Sequence, residues 1–386
     1  MTRTPGVAVA GLGETTFYKR GTSPYGELEL SLRAAVAACE DAGLDVRDID
    51  GYASYGHDTN EGTKLAAALG VRELRWSSMV WGSGGGGLAA AFAAAAAAII
   101  AGQARNVIVT RALAESSSGR LGAAVSADFM NSHYRSAGLI SPVQNVALRS
   151  QRLFEHDGVP RSTQRAVAQA CYHHARANPR AWGRETVLDD ATYEASRWIA
   201  EPFHLFDCSR ENDGAGAILL TSASDARALR QKPVYLVAAG ASSPQHWGDT
   251  LDNDADYTSA GFTLLAKRLW GSTGLSPADI DVVQVYENFT GAAVASLIDN
   301  GFCTRENAGE VLTLPNLIAP SGGLPINTAG GNIGEAFVHG IGLATEAVRQ
   351  IRGDSHSQVP DATWSMLLGG PSDVLVSAAI FGGDEL

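Results

Sequence analysis

Apolar residues recur with two different spacings along this chain. In residues 26–44, GELELSLRAAVAACEDAGL, the 3.6-residue period places Leu28, Leu32, Ala35, Val36 and Cys39 on one helical face, and Gly43 offers a C-terminal cap. Residues 262–275, FTLLAKRLWGSTGL, repeat the arrangement with Phe262, Leu265 and Leu269 before a glycine-rich stop. Short unbroken apolar runs predict buried strands at 106–110, 217–223, 365–370 and 374–382. Such runs alternating with long helices predict an α/β chain whose central strands are covered on both faces.

The pattern also repeats on a larger scale. GLDVRDIDGYASY begins at Gly43 and GLSPADIDVVQVY at Gly274; both read Gly-Leu, three residues, Asp-Ile-Asp, then a strand-like run. Each half later enters a helix through glycines, at Trp81–Gly102 (WGSGGGGLAAAFAAAAAAIIAG) and again from Asn327 (NTAGGNIGEAFVHGIGLATEAVRQIRG). Two related halves, 1–230 and 231–386, are therefore expected, with a site between them drawing residues from both. Residues 114–200 have no counterpart in the second half and read as a helical insertion serving as a lid or dimer loop.

Composition narrows the function. At 386 residues the chain is long enough for a large core, and its net charge of −12 argues against nucleic acid and anionic membrane as partners. Cys39, Cys171, Cys208 and Cys303 form no CxxC pair, which predicts neither disulfides nor zinc and suits a reducing cytoplasm. The N-terminal apolar run is too short for a signal peptide. The longest apolar run, Leu88–Ala101, falls short of the roughly 20 residues that a membrane span needs. His173 and His174 point to different helical faces, so no metal site is expected. GLGETT (11–16) lacks the third glycine of a dinucleotide fingerprint. DNDAD (252–256) reads as a solvated loop.

Several stretches, in order, resemble the thiolase superfamily, in particular its thiolase-like lipid-transfer branch related to sterol-carrier-protein thiolases. They are GLGETTFYKRG, LFEHDG (153–158), HHARANPRA (173–181), CSRENDGAGAILLTSASDARAL (208–229), DIDVVQVYENFTG (279–291) and the 326–353 glycine segment. The resemblance covers essentially the whole chain. It implies a five-layered α-β-α-β-α fold built from two duplicated halves, a homodimer and an acyl-CoA ligand. Members of this branch often pair with a small zinc-ribbon/OB-fold protein, so any zinc would sit on that partner.

The departures from the family decide the chemistry. The nucleophilic Cys of chain-condensing thiolases falls within Gly84, Gly85 and Gly86, and no Cys lies between Cys39 and Cys171. LLGGPSDV (367–374) lacks the late acid/base Cys as well. A covalent acyl-enzyme needs a thiolate at that helix start. Without one, glycine N–H groups can still bind an oxyanion, which suits an enolate-forming aldol cleavage. Such a lyase needs a base for the β-hydroxyl proton and an acid for the enolate carbon. Tyr286 stands where thiolases carry the Asn or His of their NEAF or HDCF element, and steroid side-chain aldolases carry a tyrosine there. Their second tyrosine aligns with Phe337, so the second role passes to His339, with Glu335 to orient it. Asn288, Asn327, Gly331 and Phe337 complete the expected substrate pocket beside Gly84, Gly85 and Gly86, with Asn327 fixing its loop. Cys208 reads as structural.

The reading is a carbon–carbon lyase cleaving a β-hydroxyacyl-CoA, with a steroid side chain as the acyl group and no cofactor beyond the substrate's own coenzyme A. The alternatives are a non-catalytic acyl-CoA or lipid-binding subunit that scaffolds the zinc-ribbon/OB-fold partner, and an acyltransferase with an atypical nucleophile.

Overall fold

The computed structural model describes residues 4, 6–56, 58–81, 84–115, 134, 136–244, 255–372 and 374–384. The first half supplies β1 (Val7–Glu14), β2 (Tyr18–Lys19), α1 (Glu27–Ala42), β3 (Gly51–Tyr55), α2 (Gly62–Leu69), β4 (Trp76–Val80), α3 (Leu88–Ile100) and β5 (Val107–Leu113). The helices α4 (Pro142–Glu155) and α5 (Ser162–Ala177) follow, then the short pair β6 (Trp198–Ala200) and β7 (Phe203–His204), and β8 (Asn212–Ser222). The second half contains β9 (Val234–Ser242), α6 (Thr263–Thr273), β10 (Val282–Val285), α7 (Thr290–Asp299), α8 (Ile341–Arg352), β11 (Trp364–Gly369) and β12 (Val376–Gly382). All four predicted strand runs are found, as β5, β8, β11 and β12. Much of the expected lid, 116–133 and 135, and residues 252–254 of the acidic loop lie outside the described residues.

The sheet order β10-β11-β12-β9-β1-β8-β5-β3-β4 makes the duplication visible. Reading outward from the β1/β9 seam gives β1-β8-β5-β3 on one side and β9-β12-β11-β10 on the other. The two Asp-Ile-Asp segments lead into β3 and β10, which hold the same rank in this order. Even β4, parallel to β3, has an echo in an isolated parallel bridge, Val283↔Ile326, on the outer side of β10. The seam is narrow: Ala8 pairs with Tyr235 and Val9 with Val234.

Strand alternation sorts the core into layers. Val7, Val9, Val107, Val109, Leu367 and Phe381 face a central cluster holding α3 and α8. Ala8, Ala10, Ile108 and Ala217 face α1 on one outer side, and Val283, Val285, Met366 and Leu368 face α6 and α7 on the other. This is the α-β-α-β-α stack of a thiolase-like fold.

On α1 the buried face holds Leu30, Ala34, Ala38 and Ala42 together with Ala35 and Cys39 of the expected set, whereas the expected Leu28, Leu32 and Val36 are only part-buried. The cause lies in β1. A Cβ on Gly11 or Gly13 would stand 2.0 Å from the carbonyl oxygen of Ala38 or Ala34. Small residues on both elements let strand and helix nearly touch, so GLGETT is a close-packing device rather than a phosphate loop.

Candidate active site

Four loops converge where the two halves meet. The glycine turn Gly84–Gly87 leads into α3, whose first-turn Ala89 N–H donates to Ser377 Oγ of β12 (3.0 Å). A Cβ on Gly370 would lie 2.2 Å from Gly86 Cα, so the segment after β11 also reaches this turn. The remaining two loops follow β10 and precede α8.

Tyr286 continues β10, its N–H donating to the carbonyl of Leu368 (2.9 Å). Its ring fills the space that a side chain at residue 85 would need: a Cβ on Gly85 would fall 2.1 Å from Tyr286 Cε2. Gly340, at φ +79°, closes on the same ring, with a Cβ position 2.7 Å from Tyr286 Cδ2. The place of the family's nucleophilic cysteine is therefore partly filled by the tyrosine ring. At Gly84 space remains, and its Cβ position lies 3.5 Å from the Tyr286 hydroxyl and 4.0 Å from His339 Cδ2. Phe337 stands edge-on to both rings, with centroids 6.2 Å from Tyr286 and 5.5 Å from His339. The first-half glycines, Tyr286, Phe337 and His339 are thus brought together.

Tyr55 ends β3 as Tyr286 follows β10, and its buried hydroxyl donates to the carbonyl of His339 (3.0 Å). That bond helps hold His339 at φ +48°, a left-handed conformation costing about 1–3 kcal/mol for a non-glycine residue. Asn327 has the same φ of +48°. Its side chain mimics a neighbouring strand, accepting from Val285 N–H (2.8 Å) and donating to Val285 O (2.9 Å). It fixes the loop, as its place in the sequence suggests.

Glu335 does not take the role expected of it at Nδ1 of His339. Its Oε1 accepts from Asn178 Nδ2 (2.7 Å) and Arg180 Nη2 (3.0 Å). Burial among these groups raises its carboxyl to about 7, with nearby Glu14 adding to the rise. The partner at Nδ1 is Arg111 of β5, whose Nε donates over 3.0 Å. The sequence reading missed Arg111, although a lone arginine in the buried run VIVTRAL was a usable signal, since such a charge demands partners.

The remaining expected residues are peripheral to this pocket. Asn288 is part-buried; its Oδ1 accepts from Phe289 N–H (3.0 Å) and its carbonyl from Ser209 N–H (2.9 Å). Gly331, at φ +63°, leaves room for Glu287, whose Oε1 would lie 2.0 Å from a Cβ there. Glu287 is fully buried against Cys171 Sγ, Ile333 N–H and Asn332 Nδ2, and desolvation raises its carboxyl to about 8. His174 accepts from Ala319 N–H (3.0 Å) and burial lowers it to about 3. Cys208 donates to the carbonyl of His204 (3.6 Å), and burial raises its thiol.

The chain is similar to several known proteins. The thiolase C-terminal domain-like family matches residues 243–379. A steroid side-chain-cleaving aldolase from Thermomonospora curvata is 34% identical, covering 99% of this chain and 99% of its own. The 17-hydroxy-3-oxo-4-pregnene-20-carboxyl-CoA lyase of Mycobacterium tuberculosis is 36% identical, over 97% of this chain and 98% of its own. The solved Ltp2-ChsH2(DUF35) aldolase superposes with a TM-score of 0.90 at 33% identity, over 99% of this chain and 98% of that one.

Proposed function

The chain belongs to the thiolase superfamily, in its thiolase-like lipid-transfer branch, and from that premise we propose how it works as a carbon–carbon lyase on acyl-CoA. Its substrate is a β-hydroxyacyl-CoA whose acyl part is a steroid side chain. The observation that carries this reading is the space at Gly84, bordered by the Tyr286 hydroxyl and the His339 ring, in a glycine turn without a cysteine.

The deprotonated oxygen of Tyr286 takes the β-hydroxyl proton as the Cα–Cβ bond breaks. The bond electrons pass to the thioester as an enolate, close to the amino end of α3, where the helix dipole and the N–H groups of Gly84, Gly85 and Gly86 favour negative charge. Tyr286 then gives that proton to Cα, which releases a shorter acyl-CoA and a ketone and restores the base. Coenzyme A enters with the substrate, and no other cofactor takes part. Phe337 gives the pocket an apolar wall against the acyl chain, while Asn327 and Gly331 support the loop that carries it. The lyase assay is direct: a steroid β-hydroxyacyl-CoA incubated with the protein yields ketone and shortened acyl-CoA. Tight binding without turnover, with or without a partner protein, would instead favour the lipid-binding subunit.

The working unit is a homodimer in the cytoplasm. β4 is an edge strand with Met79 at 38% exposure and Trp81, the residue after it, at 77%, a surface suited to pairing with a second copy. Light scattering should report a dimer for the native chain and a monomer for Met79→Lys. All four cysteines are free and buried, as suits a reducing compartment, and no helix of the described residues is long and apolar enough to cross a membrane. The second component named in the Ltp2-ChsH2(DUF35) aldolase supports a partner here too, of the zinc-ribbon/OB-fold kind, testable by co-purification.

A further inference from the structure

Arg111 is 2% exposed, and an arginine cannot shed its charge, so burial requires a partner on each side of the guanidinium. Nη1 donates to Glu27 Oε1 (3.3 Å) and to the carbonyl of Ala112 (2.8 Å). Nη2 donates to the carbonyl of Gly56 (2.9 Å), and Asp58 sets a carboxylate oxygen 3.6 Å from Nη1. The third nitrogen, Nε, donates its single proton to Nδ1 of His339 (3.0 Å).

That bond dictates the state of the imidazole. Arginine Nε only donates, so Nδ1 presents its lone pair and the ring proton resides on Nε2. A second proton at Nδ1 would set two N–H donors against each other beside a permanent cation, and His339, at 2% exposure, has no bulk water to relieve the conflict. Cδ2, the ring carbon bonded to Nε2, is the atom nearest the open space at Gly84.

We propose that Arg111 is a positioning residue that fixes His339 as the neutral Nε2–H tautomer. His339 then serves cleavage as a hydrogen-bond donor to the thioester oxygen, and the base role stays with Tyr286. This deepens the aldolase reading and rests on it. The β-hydroxyl proton goes to Tyr286 and the O–H pair forms the ketone. The Cα–Cβ pair is delocalised onto the oxygen facing Nε2–H, and Tyr286 returns the proton it took to Cα, which restores its deprotonated oxygen, so nothing is oxidised or reduced. Among the described residues, the charged and titratable groups that face the ring or its Arg111 partner are Arg111 from β5, Glu27 from α1, Tyr55 at the end of β3, Asp58 beyond it, and Tyr286 after β10. The same guanidinium steadies the glycine turn through Gly56, whose Cβ position would be 2.6 Å from the Gly84 carbonyl oxygen.

Nitrogen-15 NMR of histidine-labelled native protein tests the tautomer without any turnover, with His339→Gln assigning the signals. A ring protonated at Nε2 and unprotonated at Nδ1 throughout about pH 5 to 8, where free imidazole titrates, is expected. A His339 signal that titrates in that range, or an Nδ1–H ring, overturns the proposal even if the enzyme is an aldolase. Conversely, a fixed Nε2–H ring in a protein that cleaves no β-hydroxyacyl-CoA condemns the aldolase reading and leaves the Arg111 assignment intact. In kinetics, Arg111→Gln should lower kcat by about 10- to 100-fold with little change in KM, and add an acid limb to the kcat–pH profile. Arg111→Lys keeps a cation for Glu27 and Asp58 but has no Nε, and should show the same limb. Folded variants with native kcat and an unchanged profile overturn the positioning role; if neither variant folds, the NMR of the native protein still decides.

Discussion

Tyr286 is held by contacts to its ring and is useful through its hydroxyl, so the two can be separated. Tyr286→Phe keeps the ring between Gly85 and Gly340 and should fold normally while kcat falls by about 10²- to 10⁴-fold, the usual worth of a positioned acid/base, as read by release of shortened acyl-CoA. Gly85→Ala makes the complementary test. Its new methyl would lie 2.1 Å from Tyr286 Cε2, so the ring must move, and activity should drop at least as far although no functional group is lost. Native activity in the alanine variant would mean that the ring position does not matter. Tyr286 and His339 could be found in the sequence because each sits in a motif with a fixed place in the fold. Arg111 could not be assigned so easily, since its contact with His339 spans 228 positions and only folding creates it. Proximity in sequence also misled: Glu335 lies four residues from His339, yet the turn between them sends its carboxylate to Asn178 and Arg180.

At the scale of elements, α3 shows why an alanine run was selected. Thirteen residues, Leu88–Ile100, pass through the central layer in contact with strands of both halves, and Ala89, Ala91, Ala95 and Ala96 are fully buried. Close approach rather than bulk fills this layer. Ala95→Leu should therefore cost about 1–3 kcal/mol in denaturant unfolding by overpacking. Ala97→Leu, on the exposed side of the same helix, should be nearly neutral. Equal effects at both sites would contradict a tightly packed central layer. The existence and order of elements was legible from periodicity and from the duplicated Asp-Ile-Asp segments. The buried face of α1 was legible only in part: Ala35 and Cys39 lie on it, but Leu28 and Leu32 outweighed Ala34 and Ala38, whose importance depends on glycines in a strand elsewhere in the chain.

At the scale of the whole molecule, buried carboxyls tie the halves and the intervening helices together, and they give stability a definite dependence on pH. Glu14 of β1 meets Arg349 of α8 (2.6 Å) and Arg180 (2.9 Å), while Glu335 shares Arg180 (3.0 Å). Glu14 has two cations and is lowered to about 2 despite the opposing cost of burial, whereas Glu335 is raised to about 7. Glu287, linking β10 to Cys171 of α5, is raised to about 8. Desolvation also raises Asp207 and Asp299 to about 6. A raised carboxyl keeps its proton in the folded state while the unfolded chain releases it near 4.5, so its contribution is complete below that value and is lost as pH climbs through the folded value. Glu14 acts in the opposite sense: its contribution is present above about 4.5 and lost as pH falls towards 2. The sum places maximum stability near about pH 5, with a decline through about pH 8. Thermal unfolding across that range should show the midpoint falling as pH rises. Glu287→Gln and Glu335→Gln, which keep an acceptor but cannot ionise, should each flatten part of the decline, Glu335→Gln up to about pH 7 and Glu287→Gln up to about pH 8. Neither substitution touches the Tyr286 hydroxyl or the Arg111–His339 bond, so cleavage should persist in both. A midpoint that stays level or rises from pH 5 to 8 would show that these raised carboxyls are ionised in the folded protein, Glu335 as an ion pair with Arg180 and Glu287 as a carboxylate held by neutral donors.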